Sequence, residues 1–580
     1  MKLMAIKGNI QVTLENRGLV TLRPDNHKAT GGEGAIYKIS NTIIKLYIDP
    51  NHMVKTDMAD KIKVLSGINH DYIVSPKGLV ISESGSPVGF YMDYADGEPL
   101  ARIFTNAFRT RSGFTDDQAS ILVDRMRDTL VYAHGKNAIL GDGNELNWLA
   151  HFDADNKPAP RVIDVDSWAI GRWPVTAIMP SIKDWHSKGF SSLTDWFAWG
   201  IVTFQIYAGI HPYKGSLSGY KMGDFEGRMK DNASVFASGI SLNQAVRDFS
   251  CVPPALLEWY RSVFQEGERG IPPSPFQIAI KAPKAARVKK IVTVGATGSL
   301  AFDKLYDGLS DKLIRIFSCG VVMSESGKIV DLNTRREIWT AGSRNCEIVR
   351  AEGGWLAADL KKDELELIYI RSSDLHEEKL EVTINAHKVV RYENRLFAVT
   401  DHGITEISLK MFGRPIIAIG QTWGAMVNST IWFDGVGVQD AMGSMFTITP
   451  FNGDSCAHTR VRELDGLRII TAKSGHRFLS IIAMEKSGFY KKIELTFSGD
   501  YSSYTSWVGA TDSPDLNVAI LPKGVCATVI NDGELIIFVP TNGNVKKIQD
   551  RDVDTQIQLG NWDNKVVFIR DSSIWSLSMR

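Results

Sequence analysis

The spacing of apolar residues changes character part-way along the chain. In the first half, residues 55–67 and 115–134 carry apolar positions every three to four residues, which predicts amphipathic helices. Residues 196–210 are apolar on nearly all sides, which predicts a buried helix. Residues 8–41 alternate in the manner of β-strands. From residue 291 onward the helical spacing disappears, and short β-rich runs alternate with Gly, Asn, Asp and Ser turns.

This change divides the chain into two domains, which its length of 580 residues also requires. We predict an α+β domain at 1–271, a Pro- and Lys-rich linker at 272–290 and an all-β domain at 291–580. A repeat of roughly 40 residues with short strands is typical of a β-propeller. About seven blades are predicted, six or eight also fit, and a pair of β-sandwiches is the alternative. The units start near Ile316, Glu347, Val389, Trp423, Arg468, Val518 and Ile557.

Composition narrows the possible partners and compartment. The 66 Lys and Arg residues balance 66 Asp and Glu residues, so no basic excess points to nucleic acid. Five scattered cysteines without a CxxC pair argue against a disulfide framework or a zinc site, and they favour a reducing compartment. No signal peptide is apparent, and no apolar run is long enough to span a bilayer. A cytoplasmic protein without membrane or nucleic-acid partners is therefore expected.

The candidate chemistry lies in residues 140–168. Asp142 is followed five residues later by Asn147, and Asp164 and Asp166 come at the end of the second of two short apolar strands. Carboxylate and amide oxygens are ligands that Mg²⁺ prefers. A further carboxylate can orient and deprotonate an acceptor hydroxyl. An Asp, an Asn and an Asp in this order form the acidic layout of a phosphoryl-transfer site.

These residues resemble those of the protein kinases. The similarity is to atypical bacterial and phage kinase-like proteins that carry GD-x4-N and IDVDS in place of HRD-x4-N and DFG. It covers roughly the first half of the chain. It implies a bilobal α+β domain with an N-lobe at about 1–92 and a C-lobe at about 96–271. It also implies that Asp142 orients the acceptor, that Asn147 and Asp164 hold Mg²⁺, and that Asp166 is an alternative or second ligand.

The same resemblance assigns residues upstream to the binding of ATP. The turn at Gly31, Gly32 and Gly34 resembles the glycine-rich loop that covers the phosphates. Lys45 interrupts an apolar strand at the spacing of the lysine that holds the α- and β-phosphates. The strand and hinge that follow would place Met92 at the back of the adenine pocket. The main chain of Asp93 to Ala95 would then hydrogen-bond the adenine.

Downstream, the segment TDWFAWG resembles the central helix of the kinase C-lobe, in which Asp195 would brace the catalytic loop. Four positions depart from the kinase pattern: Ala29 stands at the first glycine, Gly141 stands where most kinases have Arg, and Asn144 replaces a common lysine. The fourth is Lys61, where a glutamate would pair with Lys45, and Asp57 and Asp60 are the nearby acidic candidates.

The preferred hypothesis is an ATP- and Mg²⁺-dependent Ser/Thr protein kinase with a protein substrate, whose propeller docks a protein partner. An inactive pseudokinase scaffold that binds a partner is the alternative. A phage virion or host-takeover component is a third possibility.

Overall fold

The computed structural model describes most of the chain. The described residues are 9–31, 33–49, 52–153, 155–221, 223–243, 245–277, 300–308, 311–361, 364–381, 384–451, 455–522, 524–531, 534–539, 544–549, 553, 557–570 and 572–579. Gly32 and the basic part of the expected linker (278–290) lie outside them. Residues 272–277 of the linker lie against the first half, where Pro272 O accepts from Arg127 Nε at 2.9 Å.

The first half begins with a seven-stranded antiparallel sheet in the order β2-β1-β6-β7-β5-β4-β3. Two short helices follow β5 and pack beside the sheet. The helix predicted at 55–67 is therefore interrupted, at Asp57 with a φ of +49°. The bounds are β1 Ile10–Leu14, β2 Gly18–Leu22, β3 His27–Thr30, β4 Gly34–Ile39, β5 Thr42–Tyr47, α1 His52–Lys55, α2 Met58–Leu65, β6 Pro76–Ser82 and β7 Pro87–Asp93.

Helices and short strand pairs follow the sheet. Thr115 caps the helix predicted at 115–134 by accepting from Gln118 N. The helix predicted at 196–210 is present and is buried along almost its whole length, as its apolar sequence requires. The bounds are β8 Glu98–Pro99, α3 Leu100–Ile103, α4 Asn106–Ser112, α5 Asp116–Gly135, β9 Ala138–Ile139, β10 Trp148–Phe152, β11 Pro158–Val162, β12 Ala169–Ile170, α6 Ser192–Ala208, α7 Phe225–Lys230 and α8 Pro254–Gln265.

The described part of the second half is all-β, as predicted, and is built from seven four-stranded antiparallel sheets. Six of them contain consecutive strands. They are β14 Leu313–Phe317, β15 Val321–Ser324, β16 Lys328–Asp331 and β17 Arg336–Thr340; β18 Glu347–Ala351, β19 Gly354–Lys361, β20 Glu364–Arg371 and β21 Glu377–Leu380; β22 Lys388–Tyr392, β23 Arg395–Thr400, β24 Gly403–Met411 and β25 Pro415–Gly424; β26 Thr430–Trp432, β27 Gly437–Ala441, β28 Ser444–Phe451 and β29 Ser455–Arg460; β30 Arg468–Gly475, β31 Phe478–Met484, β32 Tyr490–Phe497 and β33 Tyr504–Thr511; β34 Val518–Ile520, β35 Cys526–Asn531, β36 Glu534–Val539 and β37 Asn544–Gln549.

The seventh sheet joins the two ends of the second half. Its strands are β13 Leu300–Asp307, β38 Gln558–Trp562, β39 Lys565–Arg570 and β40 Ser573–Met579, and β13 pairs with β40. Edge strands of neighbouring sheets contact one another: β14 lies beside β38, β38 beside β34, β34 beside β30, and β22 beside β18. Six of the predicted unit starts fall on or next to one of these edge strands. The start at Trp423 was wrong, because that residue ends β25 and the next sheet begins at Thr430.

The second half packs against both parts of the first. On the sheet, Ser429 Oγ donates to His27 O, and Thr30 N donates to Asp440 Oδ2 at 3.4 Å. On the helical part, the rings of Phe225 and Phe489 stack with centroids 4.6 Å apart. The buried helical core also includes four side chains of the second half, namely Ile470, Ile482, Met484 and Tyr490. The second half thus connects the two parts of the first half.

Among the described residues, no helix is long and apolar enough to cross a membrane.

Candidate active site

The structure brings together the polar residues that the sequence places far apart. Lys45 lies on β5, whereas Asp164 and Asp166 lie in the turn after β11. Lys45 Nζ is 3.1 Å from Asp164 Oδ1 and 2.7 Å from Asp166 Oδ2. Asp142 is close enough to Asp164 for the two carboxylates to interact electrostatically. The lysine and the aspartates therefore share one site between the sheet and the helices.

Lys45 is held where neighbouring strands approach closely. Its side chain is only 10% exposed. A Cβ added to Gly34 of β4 would lie 2.7 Å from Leu46 O, and one added to Gly89 of β7 would lie 1.9 Å from Lys45 O. Burial by itself disfavours the ammonium, but the carboxylates of Asp166 and Asp164 outweigh it and raise the pKa of Lys45 above its usual range. Lys45 is therefore a fixed cation.

Asp166 is the main partner of Lys45. Its side chain is 2% exposed, and Oδ2 also accepts from Tyr47 Oη at 2.7 Å. Burial alone would raise the pKa of this carboxyl, but Lys45 lowers it below the usual value. Lys61, at the position expected for a kinase glutamate, is buried and donates from Nζ to Asp166 O at 2.6 Å. Asp166 thus has the environment of a buried counter-ion.

Asp164 has a different environment although it is only two residues away. Its side chain is 37% exposed, and its backbone is left-handed with φ at +61°. Ser167 stabilises this turn by donating from Oγ to Asp164 O at 2.8 Å. Burial within the site and the negative charge of Asp166 raise the pKa of Asp164, and Lys45 only partly opposes them. Asp164 is therefore an accessible carboxylate whose negative charge is only partly balanced by Lys45.

The loop that carries Asp142 is braced from behind, as the resemblance implies. Asp195 of α6 accepts from Leu140 N at 2.8 Å and from Gly141 N at 2.9 Å. Its Oδ2 also lies 2.9 Å from His134 Nε2. Gly141 adopts a φ of +69°, and a Cβ there would lie 2.5 Å from a methyl carbon of Val175. Only glycine fits this position without displacing its neighbour.

The Asp142 side chain faces the segment that follows Asp164 and Asp166 in the sequence. Its Oδ1 accepts from Met179 N at 2.8 Å, next to the 3-10 turn Pro180–Ile182. Burial raises the pKa of Asp142, which suits a base. Asn147 Nδ2 donates to Asp142 O at 2.8 Å. The amide oxygen is then the atom of Asn147 that can bind a cation.

The glycine turn and the expected hinge lie on strands next to β5. Gly31 N donates to Gly34 O at 2.9 Å and closes the turn between β3 and β4, and Gly32 lies outside the described residues. On β7, Met92 pairs with Ile43 of β5, so the residue expected at the back of the adenine pocket lies on the strand beside Lys45. Asp93 and Ala95 follow directly. Tyr94 N, between them, donates to Asn41 O at 2.9 Å.

Sequence reasoning missed Arg468, which reaches the site from the second half. It begins β30, interacts electrostatically with Asp164 and Asp440, and keeps access to solvent. No local signal marks Arg468 as a site residue, because only the contact between the two halves brings it there.

A second missed group is Glu145, in the loop between Asp142 and Asn147. It is buried beside Lys214, and its burial raises the pKa to about 7. The Lys214 ammonium lies 4.1 Å from the ring centre of Tyr490 in the second half and donates to Asp512 O at 3.1 Å. Burial lowers the pKa of Lys214 to about 8. The spacing Asp-x4-Asn drew attention to the ends of this loop and away from its middle.

The site carries oxygen donors of the kind that a hard cation prefers. Among the described residues, no group of three or more His, Cys, Asp or Glu side chains could hold a metal. Asp164 and Asn147 supply a carboxylate and an amide oxygen, which are suitable donors for Mg²⁺. Such a cation keeps several positions for water or phosphate oxygens.

The chain matches no protein-family model, and no curated protein is significantly similar to it.

Proposed function

We propose that the chain is an ATP- and Mg²⁺-dependent phosphotransferase of the Ser/Thr protein-kinase type. Its first half would be a bilobal kinase-like domain, with the seven-stranded sheet as N-lobe and α3–α8 as the core of the C-lobe. The observation that carries this proposal is the convergence of Lys45, Asp164 and Asp142 from three separate segments. Asp195 adds support, because it braces the Asp142 loop from the buried α6 helix.

Each residue has a role that its surroundings support. Lys45 would bind the α- and β-phosphates, with the Gly31–Gly34 turn above them. Asp164 and Asn147 would hold Mg²⁺, which neutralises phosphate charge when bound. Asp142, whose pKa is raised by burial, would orient the acceptor hydroxyl and receive its proton. Catalysis then depends mainly on positioning and charge neutralisation.

The second half is proposed to be a seven-bladed β-propeller. Four-stranded antiparallel sheets with edge strands in mutual contact, and a last sheet that includes the first strand β13, are the features expected of a closed ring of blades. The order of strands in the seventh sheet would close the ring by pairing the two ends of the domain. A pair of β-sandwiches would instead stack larger sheets face to face.

This half would contribute to the site as well as dock a partner. Asp440 contacts the glycine turn through Thr30 N, and Arg468 lies near Asp164. A guanidinium in this place can bind phosphate oxygens in a bidentate manner. The turn between β31 and β32 packs on the segment beside Asp142, since a Cβ added to Gly488 would lie 2.2 Å from Ser181 Oγ. The acceptor would therefore approach Asp142 through a restricted entrance.

A pseudokinase scaffold is the second candidate, and one observation favours it. Asp142 Oδ1 already accepts from Met179 N, so the chain's own backbone engages the carboxylate that should receive the acceptor's proton. A scaffold would bind nucleotide without transferring phosphate.

The test combines nucleotide binding with turnover in the full chain. We expect Mg²⁺-ATP to raise the melting temperature of the wild-type protein, and radiolabel from γ-phosphate to appear on the protein itself or on proteins in a cell extract. Asp142→Asn should keep the thermal shift and lose the labelling, and Asp164→Asn should lose both. The matched control is Asp153→Asn, an aspartate whose Oδ1 accepts from Asp155 N in an exposed turn. Binding without labelling in the wild type would favour the scaffold, and a wild type that does not respond to Mg²⁺-ATP would contradict both proposals.

A further inference from the structure

The first strands of the sheets in the second half surround a group of charged side chains. Several of these strands touch the corresponding strand of the next sheet, and Asp434 and Lys473 form a parallel β-bridge. The charged side chains are Arg315 of β14, Glu347 of β18, Lys388 and Arg391 of β22, Asp434 before β27, and Lys473 of β30. We call this group the ring cluster.

The two carboxylates of the ring cluster are shared between its arginines. Glu347 Oε1 lies 2.5 Å from Arg315 Nη2, and its Oε2 lies 3.4 Å from Arg391 Nε. Asp434 Oδ1 lies 3.7 Å from Arg391 Nη2. The two carboxylates are therefore already engaged by the arginines.

The two lysines have weaker partners. Lys473 Nζ donates to Val518 O at 3.0 Å, and Lys388 Nζ donates to Trp432 O. Both partners are backbone carbonyls, which carry no net charge. These bonds leave the charge of Lys388 without a direct counter-charge, and Lys473 shares Asp434 with the arginines through an electrostatic interaction.

A further cation enters the ring cluster from the first half. Arg111 of α4 interacts electrostatically with Arg315, Arg391, Glu347 and Asp434. Arg111 itself is exposed to solvent at this position. The neighbouring backbone is fixed by Arg344, which donates from Nη1 to Thr110 O at 3.2 Å.

The charges do not balance. With Arg111, five cations meet two carboxylates among the described residues of this cluster. The nearby pair of Arg102 and Glu98, 3.0 Å apart, neutralises itself. Burial together with the neighbouring Arg102 lowers the pKa of Lys388 to about 8. Like charges repel one another even where water reaches them, so docking of Arg111 against this cluster is more favourable when an anion is present.

We propose that the ring cluster and Arg111 form a binding site for a compact multivalent anion with phosphate-like oxygens. Guanidinium groups bind such oxygens in pairs, and the lysine ammonium groups add charge without fixed geometry. Because Arg111 comes from the other half, a bound anion fastens the two halves together. This site is separate from the one that contains Lys45 and does not depend on phosphotransferase activity.

Inorganic tripolyphosphate is a suitable probe for this site in the full chain. We expect it to raise the melting temperature of the wild type at constant ionic strength, well beyond the effect of chloride. Arg111→Gln should weaken the apparent affinity about tenfold, which corresponds to the loss of one charge-assisted contact. Without the anion, Arg111→Gln should melt at the same temperature as the wild type or higher, because like-charge repulsion is removed.

Two matched variants make the result specific. Arg344→Gln changes an arginine at the same contact between the halves but outside the ring cluster, and it should respond to tripolyphosphate as the wild type does. Arg468→Gln should also respond, which separates this site from the candidate nucleotide site. Loss of the response in Arg468→Gln with retention in Arg111→Gln would overturn the proposal, as would an equal effect of chloride. If Arg111→Gln fails to fold, Lys473→Met provides the same comparison.

Discussion

Replacing Asp164 and Asp166, one at a time, should have opposite effects on stability and activity. Both carboxylates contact Lys45 Nζ, at 3.1 and 2.7 Å. Asp166 is buried and also binds Tyr47, whereas Asp164 is 37% exposed. We therefore expect Asp166→Asn to damage the fold. Asp164→Asn should damage only the reaction.

The loss of stability expected for Asp166→Asn follows from the loss of a buried ion pair. Removing one partner of such a pair costs about 3–5 kcal/mol, because the other charge is left unpaired. Asp164 remains beside Lys45 and can compensate in part, so we expect the lower end, about 3 kcal/mol. For a unit of this size, that corresponds to a melting temperature about 6–12 °C lower. Adding Lys45→Met to Asp166→Asn should recover part of the loss, since the unpaired cation is then removed.

Asp164→Asn should have the opposite effect on the free energy of unfolding. The folded-state pKa of Asp164 is raised, so the protonated form is favoured in the folded protein and ionisation costs stability as pH rises. A neutral amide avoids this cost, and at pH 7.5 the variant should be as stable as the wild type or more so. The difference should shrink toward acidic pH, where Asp164 becomes protonated in the wild type. Labelling from ATP should nevertheless be lost.

The assay is denaturant unfolding of both variants and the wild type at pH 5.5 and 7.5, together with the labelling experiment. Asp60→Asn is the control, because that aspartate is exposed and pairs with Lys63 on the surface at 3.6 Å. Equal destabilisation by Asp164→Asn and Asp166→Asn would refute the division into a catalytic and a structural carboxylate. A fully stable Asp166→Asn would refute the role of Asp166 as the counter-ion of Lys45.

Three further predictions concern the neighbours of the site. In the wild type, the free energy of unfolding should fall by about 3 kcal/mol between pH 4.5 and pH 7, because the raised folded-state pKa of Glu145 favours its protonated form. Glu145→Gln should abolish this fall. Unfolding at several pH values measures it, and the same pH profile in the variant and the wild type would contradict the prediction. Asp195→Ala should lower the free energy of unfolding by about 3 kcal/mol, because it leaves two backbone N–H groups without an acceptor, and Asp195→Asn should lower it less. An Asp195→Ala variant as stable as the wild type would show that Asp195 does not brace the Asp142 loop. Arg468→Ala should weaken the binding of Mg²⁺-ATP about tenfold without lowering the melting temperature, as titration would show; undiminished affinity would exclude contact with phosphate.

Local patterns predicted the elements well where one interaction dominates. The helix α6 could be predicted because its sequence is apolar around the whole circumference, and a buried helix is the only stable result. Thr115 and its neighbours indicated the start of α5 because a cap is a local hydrogen bond. The first strands of most sheets were found from turns and short apolar runs. Trp423 misled because it lies next to the end of a long strand, β25, where a bulky apolar residue resembles the start of a unit.

The residues of the site were predictable only where a single segment carries the signal. Asp142, Asn147 and Asp164 stand out by their spacing, and Lys45 stands out as a charge in an apolar strand. Arg468 could not be found in this way, because its proximity to Asp164 depends on how the halves pack.

The ion-pair partner of Lys45 is predicted better by the need for a nearby counter-charge than by the residue at a single sequence position. The helix α2 offers Lys61 where a carboxylate was expected, so the sequence seemed to leave Lys45 unpaired. A buried ammonium needs a counter-charge, and Asp166 supplies it from the turn after β11. Lys61 also fits here, because it donates to Asp166 O, and its attraction to the carboxylate of Asp166 exceeds its repulsion by Lys45. Lys61 on α2 and Asp166 two residues after Asp164 thus form one charge distribution. The counter-ion of Lys45 lies in the turn that carries Asp164, and α2 contributes a cation to the same turn.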